Sequence, residues 1–414
     1  MNVDLRALPG PSTRRIAVRV TKDALRHLRA GHPWIYAESI TTHSHDGAPG
    51  DLAVVFDDRR AFAGIGLWDP RSPIRVRLLH TGRPRTIDDT FWHDRLATAR
   101  DRRRPLLDDP ATTGVRVVHG ENDSLPGLVV DQYAETAVVK LYSAAWYPHL
   151  PTLAPILAEL LDVDSLVLRL ARALPSDAGR GLVDGAVLAG VTPPPTVEFR
   201  ENGLVMEADP RAGQKTGYFL DQRENRARVR DRAAGRRVLD VFCCSGGFSL
   251  HAAAGGAAEV HSVDLSGPAI AAVRRNLGRN DADPAVASTR WHGHHGDAFE
   301  VMGGLVGRGE RYDVVIIDPP SFAQRQVSVP RALGAYARLT RLGLELVEPG
   351  GLFVQASCSS RVAPGEFFDG VAATALAAGF ELEEIERTGH PLDHPVGYAQ
   401  GRYLKAVFAT PHPS

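Results

Sequence analysis

From about residue 197 onward, short β-branched runs alternate with longer amphipathic stretches, and this alternation excludes most folds. Arg237–Val241, Glu259–Val263, Asp313–Ile317 and Gly351–Ala356 read as strands. Residues 222–234, 247–254, 267–279, 330–347 and 365–378 read as helices. Strands joined by helical crossovers form a parallel sheet covered on both faces. The expectation is therefore an open, doubly wound α/β sheet with its ligand at the carboxyl ends of the strands. Glu381–Arg387 and Tyr403–Thr410 are expected to pair antiparallel at the sheet edge.

The tip of the first strand reads Asp240-Val241-Phe242-Cys243-Cys244-Ser245-Gly246-Gly247-Phe248. Paired glycines at a strand-to-helix turn let a ligand approach the backbone. The pattern is not G-x-G-x-x-G, which disfavours a dinucleotide. Asp240 precedes the turn, where it would neutralise an ammonium or bind through water. Asp264 ends the next strand, placed to accept two ribose hydroxyls. Asp297, before Ala298, follows the next sheet segment, placed to meet an adenine amino group. A ligand with a ribose, an adenine and a cationic amino-acid tail is S-adenosylmethionine. Taken singly, a Gly-Gly turn is usually a turn, and an aspartate at a strand end often caps a helix. The ordered set is more specific.

Two further strand tips suggest the reaction. One reads Ile317-Asp318-Pro319-Pro320-Ser321-Phe322, where the prolines stiffen the loop. The other reads Ala356-Ser357-Cys358-Ser359-Ser360. Adjacent parallel strands would bring Cys358 and Asp318 to one pocket. A lone cysteine is most often a small buried hydrophobe, but three serines are an unusual setting for one. Cytosine C5 is too weak a nucleophile to attack a methyl donor. A thiolate adding to C6 activates it, and a carboxyl group at the N3/N4 edge helps proton transfer. Methylating an amine needs no such cysteine, and an aromatic directly after Pro-Pro is common there. Here Ser321 comes first.

Upstream, residues 13–80 hold short strands at close spacing, as in a small β-barrel. A helix is expected over 87–105. A middle unit follows, with strands at Val115–His119, Leu128–Gln132, Val138–Tyr142 and Ser165–Leu170 and a helix at Pro151–Leu161. Gly181 to Pro195, rich in Gly and Pro, reads as a linker. Residues 1–105 hold 19 basic against 12 acidic side chains, a balance compatible with a polyanion. Only four lysines occur: Lys22, Lys140, Lys215 and Lys405. Arginine-richness is thus weak evidence for RNA, and each retained lysine is of more interest.

The chain resembles the bacterial class I ribosomal RNA cytosine-C5 methyltransferases with an N-terminal PUA domain, the founding type of which acts on large-subunit rRNA. His32-Pro33-Trp34, Pro49-Gly50-Asp51, the run Gly120-Glu121-Asn122-Asp123-Ser124-Leu125-Pro126-Gly127 and the run Gln214 to Arg226 carry the resemblance. It implies a PUA-like barrel over 1–82, an α+β middle domain over 83–196 and a Rossmann-like methyltransferase domain over 197–414. It implies Phe219, Asp221 and Arg223 beside the cofactor, with Ser245, Gly246, Gly247, Phe248 and Ala298 in the cofactor site. It implies Cys358 as nucleophile and Asp318 as its partner. Ser321 stands where other RNA cytosine-C5 enzymes carry a second cysteine. Arg169 to Leu188 matches no family motif.

The expected activity is methylation of cytosine C5 in 23S rRNA through a Cys–C6 adduct. The alternatives are methylation of an exocyclic or ring nitrogen, and a catalytically silent RNA-binding factor. No metal ligand set is identified, and a homodimer is among the expected assemblies. Three cysteines, no apolar run of 18 residues and no secretory pattern in Met1 to Gly10 predict a reduced, cytoplasmic protein without a membrane span.

Overall fold

The computed structural model describes residues 3–172, 174, 182–323 and 325–414. The chain divides into two compact units. The first takes in the chain up to Arg200, Ala208–Leu220 and Leu392–Tyr398; the second takes in Glu201–Glu207, Asp221–Pro391 and Ala399–Ser414.

The first unit opens with β1 (Ile16–Val20), α1 (Lys22–Arg29), β2 (Trp34–Tyr36), β3 (Ile40–His43), β4 (Leu52–Phe56), β5 (Phe62–Trp68) and β6 (Ile74–Thr81). These strands form a six-stranded sheet in the order β2-β6-β5-β4-β1-β3. Ile16, Val18 and Val20 point inward from β1 and pack with Leu25 and Leu28 of α1. Thr21 caps α1 by accepting from Ala24 N at 3.3 Å.

Next come α2 (Asp89–Asp101), α3 (Arg104–Leu107), β7 (Gly114–His119), β8 (Leu128–Tyr133), β9 (Thr136–Leu141), α4 (Leu150–Leu161), β10 (Ser165–Leu170) and β11 (Val187–Gly190). Their sheet runs β11-β10-β9-β8-β7. The expected linker over 181–195 is therefore corrected at Val187–Gly190. Val187, fully buried, pairs antiparallel with Val167 of β10, and Leu188, at the bulge that follows, packs into the core. Of the divergent stretch 169–188, residues 173 and 175–181 lie outside the described residues.

The Gly120–Gly127 run braces this unit. Asp123 accepts from both terminal nitrogens of the fully buried Arg103 at 2.8 Å. Glu121 accepts from Trp34 Nε1 at 2.8 Å, and Asn122 Oδ1 accepts from Gly397 N at 2.6 Å. The turn thus ties strand β2 and the Leu392–Tyr398 segment to the middle sheet. Arg103 is spent on this turn, so its charge is not offered to a polyanion.

A hairpin, β12 (Val197–Glu201) and β13 (Leu204–Ala208), leads into the second unit. There follow α5 (Arg223–Arg230), β14 (Arg237–Val241), α6 (Gly247–Ala254), β15 (Glu259–Asp264), α7 (Gly267–Arg279), α8 (Pro284–Ser288) and β16 (Arg290–His295). The unit is completed by α9 (Ala298–Gly307), β17 (Tyr312–Ile317), α10 (Val329–Leu346), β18 (Val347–Ser357), α11 (Pro364–Ala377), β19 (Phe380–Thr388) and β20 (Lys405–Pro413). The seven strands run β16-β15-β14-β17-β18-β20-β19. The first five are parallel, and β20 and β19 add the expected antiparallel edge. Chain order reverses between β14 and β17, so the ligand crevice falls at their carboxyl ends. Leu239 and Val241 face one buried layer and Val238 the other, as a doubly covered strand requires.

Candidate active site

The turn after β14 is sharply folded. Phe242, Cys244 and Gly246 have φ of +65°, +50° and +81°. A Cβ on Gly246 would stand 2.7 Å from Val273 Cγ1 of α7, so this position has both a backbone and a packing reason to be glycine. Asn276, one turn further along α7, donates to Ser245 O at 2.9 Å and accepts from Glu207 N at 3.0 Å. Gly247 opens α6 with no side chain capping it. Asp240 takes the Ser249 N–H of its first turn, and the Gly247 and Phe248 N–H groups border the crevice as donors.

Asp240 is fully buried. Its Oδ2 accepts from Ser249 N at 3.0 Å and Ser249 Oγ at 2.6 Å. Its Oδ1 meets no hydrogen-bond partner among the described residues. Burial pushes this carboxyl up to about 7. Asp264, half-buried, accepts from Cys244 N at 3.0 Å and Ser266 N at 2.8 Å. It braces the turn, and each oxygen keeps a lone pair for another donor. Leu265 follows it with 69% of its surface exposed, an apolar platform beside the acid. Asp297 is the N-cap of α9, accepting from Phe299 N at 2.9 Å and Glu300 N at 3.2 Å. Ala298 is buried. Phe248 packs its ring into the core with Val238 and Val260, so only its backbone borders the turn.

Asp221 and Arg223 are both buried. Tyr403 donates to Asp221 Oδ2 at 2.9 Å. Arg223 lies 3.9 Å from Glu201, which Arg226 grips bidentately at 2.7 and 2.8 Å. Burial alone would raise the Glu201 carboxyl, but Arg226, His251 and Arg223 outweigh it and hold the group below its ordinary value. Phe219 belongs to the first unit, where Lys215 Nζ stands 4.2 Å from its ring centroid.

The second half of the site adjoins the turn. Asp318 N donates to Val241 O at 3.3 Å, tying the tip of β17 to that of β14. Cys358, half-buried just past β18, lies with Sγ 3.8 Å from Pro319 O. The two tips that sequence spacing paired therefore meet. Behind the thiol, Tyr336 of α10 and Ser357 share a hydrogen bond at 2.8 Å. Burial raises the Tyr336 hydroxyl, and the charges of Cys358 and Asp318 add to the rise. Lys405, 2% exposed, donates to the carbonyls of Ser359, Val362 and Tyr403 at 2.5, 2.8 and 3.2 Å. It clamps the loop that carries Cys358. Burial pushes its amine down to about 8, against the opposing pull of Cys358 and Glu366.

Tyr336, Leu265, Val273 and Asn276 escaped sequence reasoning, because helix and strand-end residues of these types have no distinctive spacing. Lys405 had a signal, as one of four lysines, but no reason to be placed beside Cys358. A cavity of about 360 Å³ lined by His43, Trp68 and Arg75 lies in the six-stranded sheet, not at these strand tips.

Paired acids around a glycine turn, the first two helix N–H groups and one buried carboxylate oxygen without a partner among the described residues suit a ligand with a cationic tail and a ribose. Fold and site together define an S-adenosylmethionine-dependent methyltransferase. That family matches residues 176–408, and the PUA-like domain family matches residues 18–81. A ribosomal RNA large subunit methyltransferase of Deinococcus radiodurans is 45% identical over 405 residues, covering 97% of this chain and 98% of the relative. A ribosomal RNA large subunit methyltransferase I of Aeromonas salmonicida is 33% identical, covering 95% and 98%. A methyltransferase solved in complex with SAH superposes with a TM-score of 0.79 at 22% identity, covering 96% of this chain and 99% of that one, which shows the shared fold. The chain belongs to the S-adenosylmethionine-dependent methyltransferases and carries a PUA-like domain ahead of that part. It is an enzyme whose cofactor is S-adenosylmethionine.

Proposed function

We propose that this enzyme methylates C5 of a cytosine in large-subunit ribosomal RNA, with Cys358 as nucleophile. The observation that carries the reading is the Cys358 thiol set against the Asp318-Pro319 tip, which is itself bonded to the end of β14 at the cofactor turn. The names of the curated relatives support ribosomal RNA as the substrate class.

Bound S-adenosylmethionine supplies an electrophilic methyl group at this turn. Asp264 and the α6 donors hold and orient it, and Leu265 offers an apolar face. Cys358 Sγ forms a bond to C6, and the C5=C6 electron pair moves to C5, which becomes nucleophilic. Asp318 hydrogen-bonds the N3/N4 edge and stabilises the ring as charge develops. C5 would take the methyl group with S-adenosylhomocysteine as the leaving group; the C5 proton then passes to a base, the C5=C6 bond re-forms and Cys358 leaves C6 as the thiolate. Lys405 fixes the loop so that Sγ stays aimed at the base. The basic six-stranded sheet grips RNA phosphates, and a target within a helix is flipped out.

Incubating deproteinised rRNA with enzyme and isotopically labelled donor, then analysing nucleosides by mass spectrometry, tests the reading. Label in 5-methylcytidine is expected. Label in an N-methylated nucleoside would replace C5 chemistry with amine methylation, and no label in any RNA nucleoside would favour a silent RNA-binding factor.

A further inference from the structure

Strand β16 reads Arg290-Trp291-His292-Gly293-His294-His295 and lies at the free edge of the seven-stranded sheet. In its parallel register with β15, His292 sits opposite His261 and Arg290 opposite Glu259. Side chains two residues apart share a face. Glu259, His261, His292 and His294 therefore gather on one face, at the end of β15 away from Asp264. His261 Nε2 lies 2.6 Å from Glu259 Oε1, and His292 Nε2 lies 3.5 Å from the same oxygen. One donor atom from each of these three residues lies within 4.8 Å of the others. We propose that Glu259, His261 and His292 bind a divalent cation of the zinc class.

Imidazole nitrogens with one carboxylate oxygen suit zinc and its transition-metal neighbours, and not magnesium or calcium. The surroundings already resemble the outer support of such a site. A ligating histidine normally has its other ring nitrogen hydrogen-bonded, which fixes its orientation. His261 Nδ1 lies 2.9 Å from His294 Nε2 and 3.1 Å from the Tyr312 hydroxyl. Arg290 holds Glu259 Oε2 at 3.0 Å and leaves Oε1 facing the imidazoles. Arg237 Nη2 also lies 3.6 Å from Glu259 Oε1, but its closer partner is Glu310 Oε2 at 3.1 Å, to which it can withdraw when a cation takes Oε1.

Two tetrahedral ligands stand about 3.3 Å apart around zinc, given bonds of about 2 Å. The 2.6 Å approach is a hydrogen bond that the cation would replace. The single proton of the neutral His261 ring then moves from Nε2 to Nδ1, which donates it to His294 or Tyr312. The His292 side chain is 50% exposed, so the site is open on one side for entry and for a water ligand.

The test uses untagged full-length protein, stripped with chelator and titrated with cobalt(II), followed by displacement with zinc(II). A single equivalent should give intense tetrahedral visible absorption without a thiolate charge-transfer band. His292→Ala, at a half-exposed position, should weaken binding by about 100-fold or more, and Tyr312→Phe by roughly tenfold. Glu259→Gln checks the set from the carboxylate side. Stoichiometric binding lost in His292→Ala and Glu259→Gln with unchanged thermal melting supports the site. No stoichiometric binding, a thiolate band, or affinity unchanged in both variants overturns it and leaves the cluster a hydrogen-bonded sheet edge.

Discussion

Asp240 illustrates what a residue type reveals and what it conceals. An acid before a glycine turn is expected from the sequence at a cofactor site. Its full burial and its double bond from Ser249 are not, because both depend on how α6 returns over β14. The same holds for Arg223, whose guanidinium faces Glu201, and for Phe248, whose ring is core. Cys358 and Asp318 were more legible, since strand order alone makes their tips neighbours. The buried Asp240 carboxyl yields a pH prediction. Its folded pKa of about 7 stands above the ordinary value of about 3.9. The folded state thus binds more protons between these values, and stability falls as pH rises through the window. Asp240→Asn keeps an acceptor for Ser249 and removes this loss, worth up to about 4 kcal/mol. Without cofactor, its melting temperature should exceed that of the wild type at pH 8 and converge with it near pH 4. Parallel curves would mean that Asp240 is ionised without penalty.

At the scale of elements, strands with strong apolar runs were legible, often to the residue, as with Arg237–Val241 and Ser165–Leu170. Strand β16 was not, because an edge strand of histidines and arginine carries no apolar alternation. Strand β11 was lost among glycines and prolines, although Val187 and Leu188 are buried. The cofactor turn was legible in its glycines but not in its partner, Val273. Gly246→Ala would force a side chain into φ +81° and against Val273 Cγ1. The backbone cost is roughly 1–2 kcal/mol before any clash. Chemical denaturation of Gly246→Ala, Val273→Ala and the double variant should show the two changes coupled, the second relieving only the clash, by about 0.5 kcal/mol or more. Affinity for S-adenosylhomocysteine should fall in both Gly246→Ala variants. Strictly additive stabilities would show that the turn and α7 do not press on one another.

For the whole molecule, two sheets precede the one on which the proposed chemistry rests, and under the proposed function the charge of the upstream part should govern RNA binding. Arg15, Arg19 and Lys22 are exposed on the six-stranded sheet and its first helix. Replacing all three with glutamate should weaken rRNA binding and flatten the dependence of log affinity on log salt by roughly 0.7–0.9 for each phosphate no longer neutralised. Cofactor affinity should not change. An unaltered salt slope would remove this surface from the RNA grip. The central claim is covalent catalysis by Cys358, and the most direct measurement is trapping. With 5-fluorocytosine at the target position, the C5 proton is replaced by fluorine and elimination cannot finish. Wild-type enzyme with S-adenosylmethionine should then give a protein–RNA adduct that survives a denaturing gel. Cys243→Ala and Cys244→Ala should still trap, and Cys358→Ala should not. Near-normal turnover in Cys358→Ala, or methylation of ordinary rRNA by an enzyme that never traps the analogue, would contradict the account.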